Sequence, residues 1–129
     1  VDRDGLKTVV VMHVNHGNEI DGAVRDACER LRGRGITLLN QAVLLAGVND
    51  STEALAALSD ALWEAGVLPY YLHLLDPVHG AAHFEVPEAR ARALAGELAT
   101  RRPGYLVPRL VREVPGAASK RELAPAYPH

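Results

Sequence analysis

A chain of 129 residues, 48% hydrophobic and 23% charged with a net charge of −2, is long enough for one domain with a real core and too short for two. Its scattered Lys and Arg form no basic stripe, which argues against nucleic acid or an anionic membrane as partner, and its apolar runs are far shorter than a membrane span. Val1-Asp2-Arg3-Asp4 starts no signal peptide, so a cytoplasmic protein is expected, and the single cysteine, Cys28, excludes an internal disulfide and any cysteine-only cluster within the chain.

Thr8 to Val14, TVVVMHV, is a β-branched run that reads as a buried strand and ends at the polar loop Asn15-His16-Gly17-Asn18. From Asp21 to Arg34, Val24, Ala27, Cys28 and Leu31 recur at helical spacing, and Gly35 stands where a helix stop belongs. Cys28 on that face reads as a small core residue. Thr37 to Leu45 is a second strand, and its Asn40-Gln41 pair interrupts an apolar run, so both amides need hydrogen-bond partners. Asp50 followed by Glu53 has the spacing of a capping box opening a second helix, which carries Leu55, Leu58, Leu62 and Ala65 and stops at Gly66. Trp63 on that helix reads as packing or interface.

The third strand, Pro69 to Leu75, is apolar enough to be buried on both faces and breaks at Asp76-Pro77. Val86-Pro87 starts a third helix with Ala91, Leu94, Ala95 and Leu98, and Arg101 to Gly104 ends it. Tyr105 to Arg112 reads as a fourth strand, one that tolerates Pro108 best at an edge. Strand and helix thus alternate in an α/β pattern, which implies a parallel sheet of four strands with three helices on one face. Four strands cannot close an eight-stranded barrel, which takes about 250 residues. Residues 1–114 therefore read as the C-terminal half of a larger barrel, and 115–129 as a loop and tail.

Polar residues fall at corresponding places. His13 ends the first strand, Asn40 and Gln41 lie in the second, Asp76 ends the third, Glu113 closes the fourth, and Lys120 follows in a Gly/Ser loop. Each alone has a plain reading: a hydrogen-bonded structural histidine, a solvated acid, a solvated lysine. Recurrence over four strands favours a site, because barrels build active sites at the carboxyl ends of their strands. Asn40, Gln41, Asp76 and Glu113 are then expected on the open concave side. A metal-dependent hydrolase stays open, since His13, His16, His73, His79 and His83 with Asp76 offer enough zinc ligands, although His79 and His83 lack a triad's fixed spacing. So does a non-catalytic remnant that only binds a partner.

The segments HVNHGNEID, GITLLNQAVLLAGVND, AGVLPYYLHLLDPVHGAAHF and PGYLVPRLVREVPGAASK resemble the C-terminal part of the lysine 2,3-aminomutase family of radical S-adenosylmethionine enzymes. Within it the likeness is greatest to the branch that serves β-lysylation of elongation factor P, and it runs in order from about Val9 to Lys120. The resemblance implies a partial TIM barrel and an isomerase that moves the amino group of L-lysine from the α to the β carbon. It implies three cofactors: a [4Fe-4S] cluster, S-adenosylmethionine and pyridoxal phosphate. By resemblance Lys120 matches the lysine that carries pyridoxal phosphate, Asp76 and Glu113 the two acids that hold the substrate's distal ammonium, and His13 and Gln41 positions beside S-adenosylmethionine. Glu113 departs from the Asp usual in the family's free-lysine mutases.

More serious, the family's Cys-x3-Cys-x2-Cys cluster motif is not in the chain. The expectation is that an N-terminal half of the same protein supplies it, that this chain is inactive alone, and that no metal is ligated by its own residues; a homo-oligomer is left open. The short tail after Lys120 favours the elongation factor P branch.

Overall fold

The computed structural model describes residues 7–75, 82–113 and 120–127, the side chains of 82 and 113 excepted. It is an α/β unit of β1 (Val9–Met12), α1 (Gly22–Gly33), β2 (Thr37–Leu44), α2 (Thr52–Glu64), β3 (Leu68–Leu74), α3 (Glu88–Arg101), β4 (Arg109–Glu113) and β5 (Lys120–Glu122). One sheet holds the strands in the order β1-β2-β3-β4-β5. The first four run parallel, as the strand–helix alternation requires, and β5 returns antiparallel on β4. No helix among the described residues is long and apolar enough to cross a membrane.

Local chemistry sets the helix ends. The Asp21 carboxylate accepts the Val24 N–H at 2.9 Å and opens α1. At α2 the expected cap is displaced by one residue: Ser51 Oγ accepts the Ala54 N–H at 3.1 Å, and Asp50 instead accepts the Gly47 N–H at 2.9 Å and closes the preceding turn. Ser51 has the extended backbone an N-cap needs, which leaves Asp50 to the turn. α1 and α2 both run out into a glycine with positive φ, Gly35 at 80° and Gly66 at 79°, a conformation that would strain any L side chain.

The core lies between the sheet and the three helices. Leu38, Ala42 and Leu44 of β2, Leu72 and Leu74 of β3 and Leu110 of β4 meet Cys28 of α1, Leu55, Leu58 and Leu62 of α2 and Ala91, Leu94 and Leu98 of α3 in one apolar cluster. These strand residues recur at period two, so the alternate positions face away from the helices. That second face is exposed along β1 and the start of β3, whereas Val111 of β4, on the same face beside His73, is 2% exposed. Val9 and Val11 of β1 and Leu68 and Tyr70 of β3 are exposed by 37–50%, so neither strand is covered on both faces as its apolar run suggested.

Two further expectations need correction. The fourth strand begins at Arg109 rather than Tyr105, because Pro103-Gly104 initiates a 3-10 turn over Gly104–Leu106 and Pro108 cannot donate to the ladder. β4 is also not an edge, since β5 covers its outer side. Asn40 does not face the open side. It is 1% exposed on the helix face, in phase with Leu38 and Ala42, and its amide accepts the Val14 N–H and donates to the Val14 carbonyl, both at 2.9 Å. β1 pairs with β2 only to Met12 opposite Asn40, and the Asn40 side chain carries the pairing on to Val14.

Candidate active site on the open face of the sheet

The open face gathers Gln41, Tyr71, His73, Arg109 and Lys120 across four strands. Gln41 is half-buried, its backbone in register with Tyr71 and, one strand further, with Arg109. A register shift between Asn40 and Gln41 leaves Tyr70 as an extra residue in β3. The bulge brings the Tyr70 and Tyr71 rings to a 4.3 Å centroid separation, and the His73 ring meets Tyr71 edge-on at 5.8 Å. Hydrogen bonding to Tyr71, then its charge and burial, holds the Tyr70 phenol above its usual range, against the opposing pull of Arg109 and Lys120.

Lys120 stands at the head of β5, opposite Glu113 in register, rather than in an irregular loop. Its Nζ lies 5.3 Å from the centre of the Tyr71 ring, over the ring face. Gln41 thus borders Tyr71 from the adjacent β2, and Lys120 reaches Tyr71 from β5 across the intervening β4. Of the other expected site residues, His13 is exposed just beyond β1. Asp76 lies outside the described residues, as do His79 and the side chain of Glu113.

The loop that carries His13 is tied to β2 by asparagines whose role the sequence did not disclose. Asn15 Oδ1 accepts the Val43 N–H at 2.9 Å. Asn49, fully buried, accepts the Leu45 N–H at 2.8 Å and donates to the carbonyls of Asn15 and Val43 at 2.8 and 2.9 Å. With Asn40, which meets Val14, they tie the two residues after His13 to β2 and its following turn. Tyr71 was missed as well, because an aromatic in an apolar strand reads as core until the strand is seen to have an open face.

His16 is engaged in a local turn. His16 Nδ1 accepts the Asn18 N–H at 3.1 Å, while Glu19 accepts the N–H groups of Asn15 and His16 at 2.7 and 2.8 Å, a reciprocal cap on the short 3-10 turn Gly17–Glu19. Among the described residues no group of three His, Cys, Asp or Glu could hold a metal ion. Cys28 is 2% exposed under the helices, its Sγ 3.8 Å from Met12 Sδ, and burial pushes its thiol up despite Arg32.

No family model matches the chain. Individual proteins do. The chain is 54% identical over 121 residues to the L-lysine 2,3-aminomutase of Escherichia coli (strain K12), covering 94% of the chain and 35% of that protein. It is 50% identical over 115 residues to the protein of that name in Haemophilus influenzae, covering 89% of the chain and 34% of the relative. To the protein of that name in Acetoanaerobium sticklandii it is 40% identical over 115 residues, 89% of the chain and 28% of the relative.

The chain is a homologue of the L-lysine 2,3-aminomutases. It spans about a third of the length of these curated relatives. Its α/β fold, with four parallel strands backed by three helices, is consistent with part of an aminomutase barrel. The aminomutase likeness covers the whole stretch that builds the open face, from β1 to β5.

Proposed function

We propose that this chain is the part of an L-lysine 2,3-aminomutase that binds L-lysine and pyridoxal phosphate, a cytoplasmic isomerase whose product, β-lysine, modifies elongation factor P. The observation that carries the reading is the 54% identity, over 94% of the chain, to the Escherichia coli protein of that name. The elongation factor P destination rests on the resemblance of the segments around His13, Asp76 and Lys120.

Lys120 fits covalent attachment of pyridoxal phosphate. It is an exposed primary amine on the open face, with its Nζ over the Tyr71 ring. Asp76 and Glu113 hold the distal ammonium of the substrate, where two carboxylates supply the charge-assisted bonds that a desolvated ammonium needs. His13 and Gln41 would hydrogen-bond to S-adenosylmethionine. When bound, pyridoxal phosphate supplies a conjugated ring that spreads an unpaired electron while the amino group moves, and S-adenosylmethionine supplies the radical that starts the move. The described residues do not fit the [4Fe-4S] cluster, because the one cysteine is buried beneath α1. In this reading its ligands belong to the remaining two thirds of the protein, without which the chain is inactive. What this chain does is orient: it fixes the lysine by both ends and closes one wall of the site against water.

The complete protein, supplied with L-lysine, S-adenosylmethionine, pyridoxal phosphate and a reductant, should form β-lysine. Asp76→Asn should weaken lysine binding by about 2–5 kcal/mol while both cofactors still bind. No β-lysine from fully loaded protein, or an unchanged KM for lysine in Asp76→Asn, would overturn the reading.

A further inference from the structure

We propose that residues 120–127 form a strap, seated on α3 at Gly96, that holds the Lys120 amine in place on the open face, which makes Gly96 and Leu123 positioning residues for that amine. The functional consequence rests on Lys120 carrying pyridoxal phosphate; the geometry does not.

β5 is three residues long and lies at the sheet edge, too short to hold its register by ladder bonds alone. Three anchors follow or flank Lys120. The first is ionic: Glu88, at the start of α3, lies 3.6 Å from Arg121 of β5 and 3.7 Å from Arg112 of β4, and holds Arg92 of its own helix at 2.8 Å. The second is apolar: Leu123 is 2% exposed in the core, and its N–H donates to the Leu110 carbonyl at 2.8 Å. The third lies at Gly96. There the Ala126 N–H donates to the Arg92 carbonyl at 2.9 Å, in the middle of α3.

An extended chain can approach a helix carbonyl so closely only where the helix lacks a side chain. Gly96 is buried, and a Cβ built on it would overlap the Ala126 carbonyl oxygen and stand 3.1 Å from the Tyr127 nitrogen. Glycine is less stable than alanine in a helix interior, and the seat for the strap is what offsets that cost in α3. Because side chains alternate along β5, the strap fixes both faces at once. Arg121 turns to Glu88 on the helix side, and Lys120 on the other side meets Tyr71 at 5.3 Å. Release of the strap would leave Lys120 attached to the sheet only through the three-residue pairing.

The test compares the complete wild-type protein with Gly96→Val, which blocks the seat, and Leu123→Ala, which loosens the strap without a clash. Gly33→Ala serves as control, since nothing lies within 4 Å of a Cβ there. Deuterium exchange of the 120–123 peptide should speed up at least tenfold in both variants and not in the control, with α1 unchanged. Trapping of pyridoxal phosphate on Lys120 by borohydride, well below the melting temperature, should need about tenfold more cofactor. Faster exchange with an unchanged cofactor requirement would mean that the strap only stabilises, and would overturn the proposal, as would unchanged exchange. If the wild-type label falls on another residue, the functional reading fails but the strap is still decided. Trace acetylation of Lys120 relative to Lys7 should then change at least threefold in Gly96→Val, and an unchanged ratio would sink it.

Discussion

Asn40 shows how one side chain can extend a sheet. Its amide meets both backbone groups of Val14, so replacing it with leucine would leave a buried N–H and a buried C=O without partners. Each such loss costs about 1–3 kcal/mol, and Asn40→Leu should destabilise the protein by about 3 kcal/mol in a denaturant titration. A loss under about 1 kcal/mol would mean that water replaces the amide. The Asn40-Gln41 pair also marks where sequence reading stops. In a strand two adjacent residues must face opposite ways, so one amide had to be structural and the other open, but the phase belongs to the helices packed against the strand. At the surface, Arg102 grips Asp60 through two bonds of 2.8 and 2.7 Å, and this holds the Asp60 carboxyl below the usual range. A depressed carboxyl stabilises above its unfolded value, about 3.9, and that contribution is lost as pH falls through the folded value. Asp60→Asn should therefore lower the melting temperature slightly at pH 7 and not at all in strong acid. A loss that persists in acid would contradict the ionic origin.

At the scale of elements, the three helices and first three strands were legible because apolar period and helix stops coincide, as at Gly35 and Gly66. Gly66 carries φ of 79° with the Arg32 side chain where a Cβ would stand, so Gly66→Ala should cost roughly 1–2 kcal/mol of stability. Gly33→Ala, in open space at the end of α1, should be neutral or mildly stabilising. Equal effects at the two sites would refute the turn argument. β5 was not legible: Lys120-Arg121-Glu122 is charged throughout and has no strand signature, and only its partner β4 and the anchors after it make it a strand. Nor was the bulge that turns Tyr70 and Tyr71 toward each other, because a register shift belongs to two strands and is written in neither.

For the molecule as a whole, the open face explains both the site and the exposed apolar side chains around it. Val9, Val11, Leu68 and Tyr70 line a surface that in the proposed whole protein is covered by the remaining part of the barrel. Of the residues expected on that face, Gln41 lies there, Asn40 does not, and Asp76 and the side chain of Glu113 lie outside the described residues. What separates the two adjacent amides is a sheet with helices on one side only, which four apolar runs cannot reveal. The most direct measurement is on the complete protein loaded with pyridoxal phosphate and reduced with borohydride, followed by peptide mapping. The cofactor should be fixed to the peptide containing Lys120, and Lys120→Ala should abolish that label while iron content stays intact. Label on Lys7, the other lysine of the chain, or on a lysine elsewhere in the protein would contradict the assignment.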